Sequence, residues 1–137
     1  MLENLNKEQL EAVKTTEGPL LVLAGAGSGK TKVLTTRVAY LIDELGITPE
    51  SILAITFTNK AAKEMKDRIF KMLGTVAYQI QISTFHSFGL TILKEHYDKL
   101  GYDKNFTILD SDDSSTVVKK ILKDMDKDPK KYSYKAI

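Results

Sequence analysis

Ala24-Gly25-Ala26-Gly27-Ser28-Gly29-Lys30-Thr31 decides the fold. It follows an apolar run, Leu20-Leu21-Val22-Leu23-Ala24, and opens a helical pattern, the context that a phosphate-binding P-loop requires. Gly25, Gly27 and Gly29 let the backbone curl so that successive N–H groups turn toward phosphate oxygens, with Ala26 and Ser28 completing the curve. The helix N-terminus that follows adds partial positive charge. Lys30 is expected to reach the β- and γ-phosphates of a nucleotide, and the Thr31 hydroxyl to ligate Mg²⁺. These two are the candidate catalytic residues, and Thr31 is the candidate metal ligand. Ala24 stands where the motif usually has its first glycine, a position that leaves the strand and mainly needs a small side chain.

Working outward, Ile52-Leu53-Ala54-Ile55 is a second short, continuous apolar run. Like Leu20 to Ala24, it is expected to be a strand buried on both faces of a parallel sheet. Val76 to Thr84 alternates instead, with Val76, Tyr78, Ile80 and Ile82 on one face, which predicts a third strand buried on one side. A helical stripe follows each run. Val33, Leu34, Val38, Leu41, Ile42 and Leu45 lead to Gly46; Ala61, Ala62, Met65, Ile69, Met72 and Leu73 lead from a cap at Asn59 to Gly74; and Phe85, Phe88, Ile92, Leu93, His96, Tyr97 and Leu100 lead to Gly101. Strands alternating with helices of this length mean βαβ units and a parallel sheet with flanking helices. Past Phe106-Thr107-Ile108-Leu109 the texture changes to an acidic turn, Asp110 to Asp113, then an amphipathic helix on Val117, Val118, Ile121, Leu122 and Met125, then Asp128-Pro129-Lys130-Lys131.

Composition bounds the function. The chain of 137 residues is at most one module, and 42% hydrophobic residues suit a packed, soluble core. A formal charge of +2 falls short of the overall basicity of small nucleic-acid binders, so any nucleic-acid site must be local. With no cysteine and two histidines, a thiolate metal site and a disulfide framework are excluded. The start, Met1 to Lys7, lacks the plan of a signal peptide, and the longest stretch free of charged side chains, Met72 to Leu93, is punctuated by polar residues. A cytoplasmic location, away from membranes, is the expectation.

Nucleotide hydrolysis needs a second metal carboxylate and a residue that positions water. Leu41-Ile42-Asp43-Glu44 has the right composition, yet it lies in the helix leaving the P-loop, about 20 Å of rise beyond Lys30. Asp110 follows an apolar run, but Ser111-Asp112-Asp113 after it reads as the start of a helix that Asp110 caps.

The edge of the sheet that carries the P-loop also receives the ends of the other expected strands, where ligands of open parallel sheets bind. Thr56-Phe57-Thr58-Asn59-Lys60 and Thr84-Phe85-His86-Ser87-Phe88 each join an aromatic ring to small hydroxyls and a basic or imidazole group. Single-stranded nucleic acid suits that combination, its bases stacking on rings and its phosphates held by lysine, hydroxyls and N–H groups. The helix beyond adds Lys60, Lys63, Lys66, Arg68 and Lys71 against Glu64 and Asp67, a net charge of +3. The competing reading places Phe57 and Phe85 in the core and leaves the lysines as a solvated face. Gln9 is equally divided: with Asn6 it forms a capping-box pattern, and its amide could instead pair with the N6 and N7 edge of adenine.

Together these residues resemble the UvrD/PcrA/Rep family of superfamily 1 DNA helicases. Leu5-Asn6-x-x-Gln9-x-x-Ala12-Val13 looks like the family's Q motif, whose glutamine reads adenine. Ala24 to Thr31 looks like motif I, Thr56 to Met65 like motif Ia, and Thr84 to Phe88 like the short motif after it. The resemblance implies that Gln9, the loop from Ala24 to Thr31, Lys32 and Arg37 contact the nucleotide. It likewise implies that Thr56, Phe57, Thr58, Asn59, Lys60, Thr84, Phe85 and His86 contact single-stranded DNA. The implied architecture is α/β: the N-terminal part of a RecA-like P-loop NTPase domain over residues 1–109, then the start of an inserted helical subdomain over 110–137. The implied activity is ATP- and Mg²⁺-dependent 3′ to 5′ translocation and unwinding, with single-stranded DNA, duplex junctions and the remainder of a much longer helicase as partners. Two other readings are a self-contained P-loop phosphotransferase, in which Asp110 serves the metal, and a non-catalytic nucleotide-binding module.

Overall fold

The computed structural model describes residues 2–128 and Tyr132; Met1 and the segment Pro129-Lys130-Lys131 lie outside the described residues, as do residues 133–137. Helices α1 (Lys7–Lys14) and α2 (Lys30–Asp43) precede β1 (Leu53–Thr56), α3 (Asn59–Leu73), β2 (Gln81–Thr84), α4 (Phe85–Glu95) and α5 (Ser111–Asp124). Packing divides the chain into two compact units, residues 1–93 and 94–137. No helix among the described residues is long and apolar enough to cross a membrane.

The α/β class and the parallel pairing match expectation. β1 and β2 run parallel in register, Leu53 beside Gln81 and Thr56 beside Thr84, joined by α3 as the crossover. The core of this unit gathers Val38 from α2, Ile52 just before β1 and Ala54 within it, Met65 and Ile69 from α3, and Ala77 and Ile80 from the approach to β2. Helix α3 presents Met65 and Ile69, one turn apart, to that core, and Gly74 stops it with a left-handed φ of 62°. Its cap is one residue earlier than Asn59: the Thr58 hydroxyl accepts the Ala61 N–H.

Two expected strands differ. Leu20 to Ala24 forms no strand, and Leu21 and Leu23 are 81% and 87% exposed. A parallel strand is held by backbone hydrogen bonds to neighbours, and among the described residues β1 and β2 pair only with each other. Val76 to Thr84 is a strand only from Gln81. Gly74–Tyr78 is a 3-10 helix that buries Ala77 and leaves Tyr78 facing solvent, and Ile80 is buried in the bend between that helix and β2.

In the second unit, a 3-10 turn at Tyr97–Leu100 ends at Gly101, with φ of 75°, and the Tyr102 and Phe106 rings lie 5.9 Å apart. The Asp110 carboxylate accepts the N–H groups of Asp112 and Asp113, both at 2.8 Å, which makes it the N-cap of α5.

Candidate nucleotide and nucleic-acid site

The P-loop is built where the sequence places it. Gly27 and Gly29 have φ of 76° and 88°, a region closed to side chains with a Cβ, and Gly29 is the residue on which α2 begins. The first turn of α2 therefore opens onto the loop, its leading N–H groups unspent by the helix. The Ser28 hydroxyl donates to the Gly25 carbonyl at 2.7 Å and closes the turn. Lys30 folds back across it, its ammonium donating to the carbonyls of Ala24 at 3.0 Å and Gly25 at 2.6 Å. The ammonium thus already lies over the strand side of the loop, and a Cβ built on Gly25 or Gly27 would meet nothing within 4 Å. Open space above left-handed glycines, with one cation and a helix N-terminus beside it, fits a nucleotide's phosphates. Thr31 is exposed at the start of α2, free to offer its hydroxyl to a metal bound with those phosphates.

Gln9 belongs to both of its readings' first halves. Its side-chain oxygen accepts the Asn6 N–H at 3.1 Å, and the Asn6 side chain accepts the Gln9 N–H at 2.8 Å, so the capping box is real. Its amide nitrogen meanwhile donates to the Ser28 carbonyl at 2.9 Å, across nineteen positions of sequence. Gln9 is thereby fastened to the P-loop itself, and a cavity of about 210 Å³ beside it is lined by Asn6, Gln9, Ala24, Ser28 and Lys30. A Cβ on Gly29 would come within 2.8 Å of that amide nitrogen. Capping signals predicted half of this; the contact to Ser28 had no local signal.

Lys32 and Arg37 are both bonded to the N-terminal segment, and Arg37 lines a cavity together with Lys30. Lys32 donates to the Asn4 carbonyl, and Arg37 to the Ala12 carbonyl at 2.6 Å. Both clasp the N-terminal segment to α2, where Ala12 and Val13 of α1 are buried.

The second cluster sits at the ends of the paired strands. Because Thr56 and Thr84 are register partners, the residues that follow them emerge side by side. Phe57 is 88% exposed and Phe85 65%, so the core reading of both rings is excluded. Thr84 is buried and its hydroxyl accepts the Ser87 N–H at 3.2 Å, starting α4. Thr56 donates to the Thr58 carbonyl at 3.1 Å and holds the short link to α3. Asn59, Lys60 and His86 are exposed beside the rings. The structure thus brings together Phe57, Asn59, Lys60, Phe85 and His86 at one strand edge.

The chain matches the UvrD/REP helicase N-terminal domain over residues 5–137. It is 55% identical over 132 residues to the ATP-dependent DNA helicase PcrA of Staphylococcus aureus, and 54% identical to that of Staphylococcus epidermidis. Each match covers 96% of this chain and 18% of the relative, so the chain spans under a fifth of the length of these proteins. With a family match over nearly every residue and more than half of the aligned positions identical, the chain belongs to the UvrD/REP helicase N-terminal domain family.

Proposed function

We propose that the chain is the ATP-binding part of a RecA-like motor domain, residues 1–109, followed by the start of an inserted helical subdomain, in a cytoplasmic ATP-dependent DNA helicase. The protein translocates 3′ to 5′ on single-stranded DNA and opens duplex junctions in DNA repair or replication. Ala24 to Thr31 cradle the phosphates, Lys30 neutralises the terminal ones, Thr31 holds Mg²⁺, Gln9 lies beside the base, and Lys32 and Arg37 complete the nucleotide contacts. Bound Mg²⁺ supplies charge neutralisation on the transferred phosphoryl oxygens. Thr56, Phe57, Thr58, Asn59, Lys60, Thr84, Phe85 and His86 form the single-strand path.

One observation carries this reading: two large rings, Phe57 and Phe85, stand in solvent at the ends of register-paired strands. An aromatic side chain left in water forgoes roughly 1.5 to 3 kcal/mol of burial, and stacking on DNA bases recovers it. Phe57→Ala is expected to lower single-strand affinity by roughly 1 to 3 kcal/mol in a fluorescence-anisotropy titration, with ATP affinity level. A sharp fall in melting temperature with DNA binding intact would return Phe57 to a packing role.

The phosphate site has its own test. Lys30→Ala removes a charged donor, worth roughly 1.5 to 3 kcal/mol, so calorimetry should show Mg·ATP affinity reduced about 10- to 150-fold with unchanged circular dichroism. Equal affinity would refute the assignment. The phosphotransferase reading loses support because the Asp110 carboxylate is engaged as a helix cap.

A further inference from the structure

Helix α3 and the 3-10 helix after it carry a second exposed aromatic surface, apart from the rings at the strand ends. The Phe70 and Tyr78 rings lie 5.4 Å apart between centroids, tilted by 55°, and the Lys66 ammonium sits 5.0 Å from the Tyr78 centroid. Phe70 comes from the last turns of α3 and Tyr78 from the end of the 3-10 helix that follows. Their neighbours Ile69 and Ala77 are both wholly buried in the core, which fixes the two backbones from beneath. Even so, Tyr78 is 64% exposed and Phe70 40%. The core holds the rings in place without covering them.

Helical geometry extends this surface toward the strand edge. At about 100° per residue, Asn59, Lys63, Lys66 and Phe70 fall within a sector of about 60°, and the row runs about 16 Å along the axis. Glu64 and Asp67 fall outside that sector, so the row holds two cations and no carboxylate. It begins at Asn59, beside Phe57, and ends at the aromatic pair.

We propose that this row binds single-stranded nucleic acid, with phosphates on Lys63 and Lys66 and bases stacked on Tyr78 and Phe70. It continues the path from Phe57 and Phe85 down the outer face of α3, and it rests on the reading that this chain holds single strands. Charge complementarity selects a polyanion, and the exposed parts of the paired rings select one that carries flat bases. Lysine, a mobile point charge, suits a flexible phosphate chain.

The test is an anisotropy titration of the 137-residue chain with oligo-dT of about 4 and about 16 nucleotides, the limits between which single-strand sites of small domains fall. Tyr78→Ala should weaken the longer oligonucleotide about fivefold or more, while Tyr78→Phe keeps wild-type affinity. Replacing both lysines, K63Q with K66Q, should flatten the salt dependence of the longer complex by about 1.4 in log–log slope. Circular dichroism checks the fold of each variant.

Unchanged affinity for the longer oligonucleotide in Tyr78→Ala overturns the proposal; if Phe57→Ala weakens both lengths in the same assay, the strand-edge reading survives alone. Loss at Tyr78→Ala with no effect of Phe57→Ala keeps the α3 site and removes the strand-edge one. Binding of a poly-glutamate peptide that is lost in Tyr78→Ala, with oligonucleotide affinity intact, assigns the surface to an acidic protein and overturns the proposal. No oligonucleotide binding by the wild-type chain overturns both readings.

Discussion

Incubated with Mg·ATP and a single-stranded oligonucleotide, the chain is expected to release phosphate no faster than its Lys30→Ala variant. The P-loop holds phosphates, but charge that develops on the transferred group must be met by further groups. A second metal carboxylate, a water-positioning residue and an arginine usually do so, and an arginine of that kind alone is worth ~10³ to 10⁵ in rate. Asp43 ends α2, about 20 Å of rise from Lys30. Arg37 is about 10 Å along the same helix, and its guanidinium is hydrogen-bonded to the Ala12 carbonyl. Among the described residues, no group of three or more acidic or histidine side chains could hold a metal ion. On the proposed reading, Lys30 and Thr31 bind the nucleotide, and neither Asp43 nor Arg37 is placed to complete the hydrolytic set. Release above the Lys30→Ala control, measured as inorganic phosphate, would show that a carboxylate serves the metal after all. Asp110 would be the first to replace, and the self-contained enzyme would become the better reading.

Local chemistry made the P-loop legible. Glycines at positions that need φ near 80° and a lysine at the helix start are short-range signals that the structure realises, whereas the apolar approach, expected as a buried strand, is exposed and irregular. Helices α2 and α3 were legible as helices from their spacing and following glycines, but of the stripe expected on α2 only Val38 is buried, with Leu41 and Ile42 packed partly against the core and Leu34 and Leu45 exposed. Strand pairing is not local. Leu20 to Ala24 has the composition of a central strand, yet hydrogen bonds from neighbouring strands must hold it there, and β1 and β2 do not flank it. The stretch before β2 misled through period: Val76, Tyr78 and Ile80 alternate like a strand, yet Gly74–Tyr78 winds as a 3-10 helix with Ala77, from the opposite face of the expected strand, buried and Tyr78 exposed. At the site, motif residues Phe57 and Phe85 were ambiguous in sequence because exposure depends on what the sheet packs against. Gln9 was half legible, since its cap lies three residues away and its bond to Ser28 nineteen.

Replacing Ile69 by alanine is expected to destabilise the chain by about 2 to 5 kcal/mol, whereas Leu23→Ala should change stability by less than about 0.5 kcal/mol. Both substitutions delete aliphatic carbons, so the difference isolates environment. Ile69 has no exposed surface and packs with Val38, Ile52, Ala54, Met65, Ala77 and Ile80, where α3 closes over the parallel pair. Truncating it leaves a cavity among residues drawn from α2, β1, α3 and the 3-10 helix before β2, and neighbours fixed by strand pairing and helix packing cannot collapse to fill it. Leu23 stands 87% in water, and shortening it removes almost no buried contact. Urea denaturation of both variants, read by circular dichroism at equal slope, measures the two free energies directly. A Leu23→Ala cost approaching that of Ile69→Ala would mean that the run before the P-loop is buried as a strand in solution. The first turn of the phosphate loop would then hang from a sheet larger than β1 and β2.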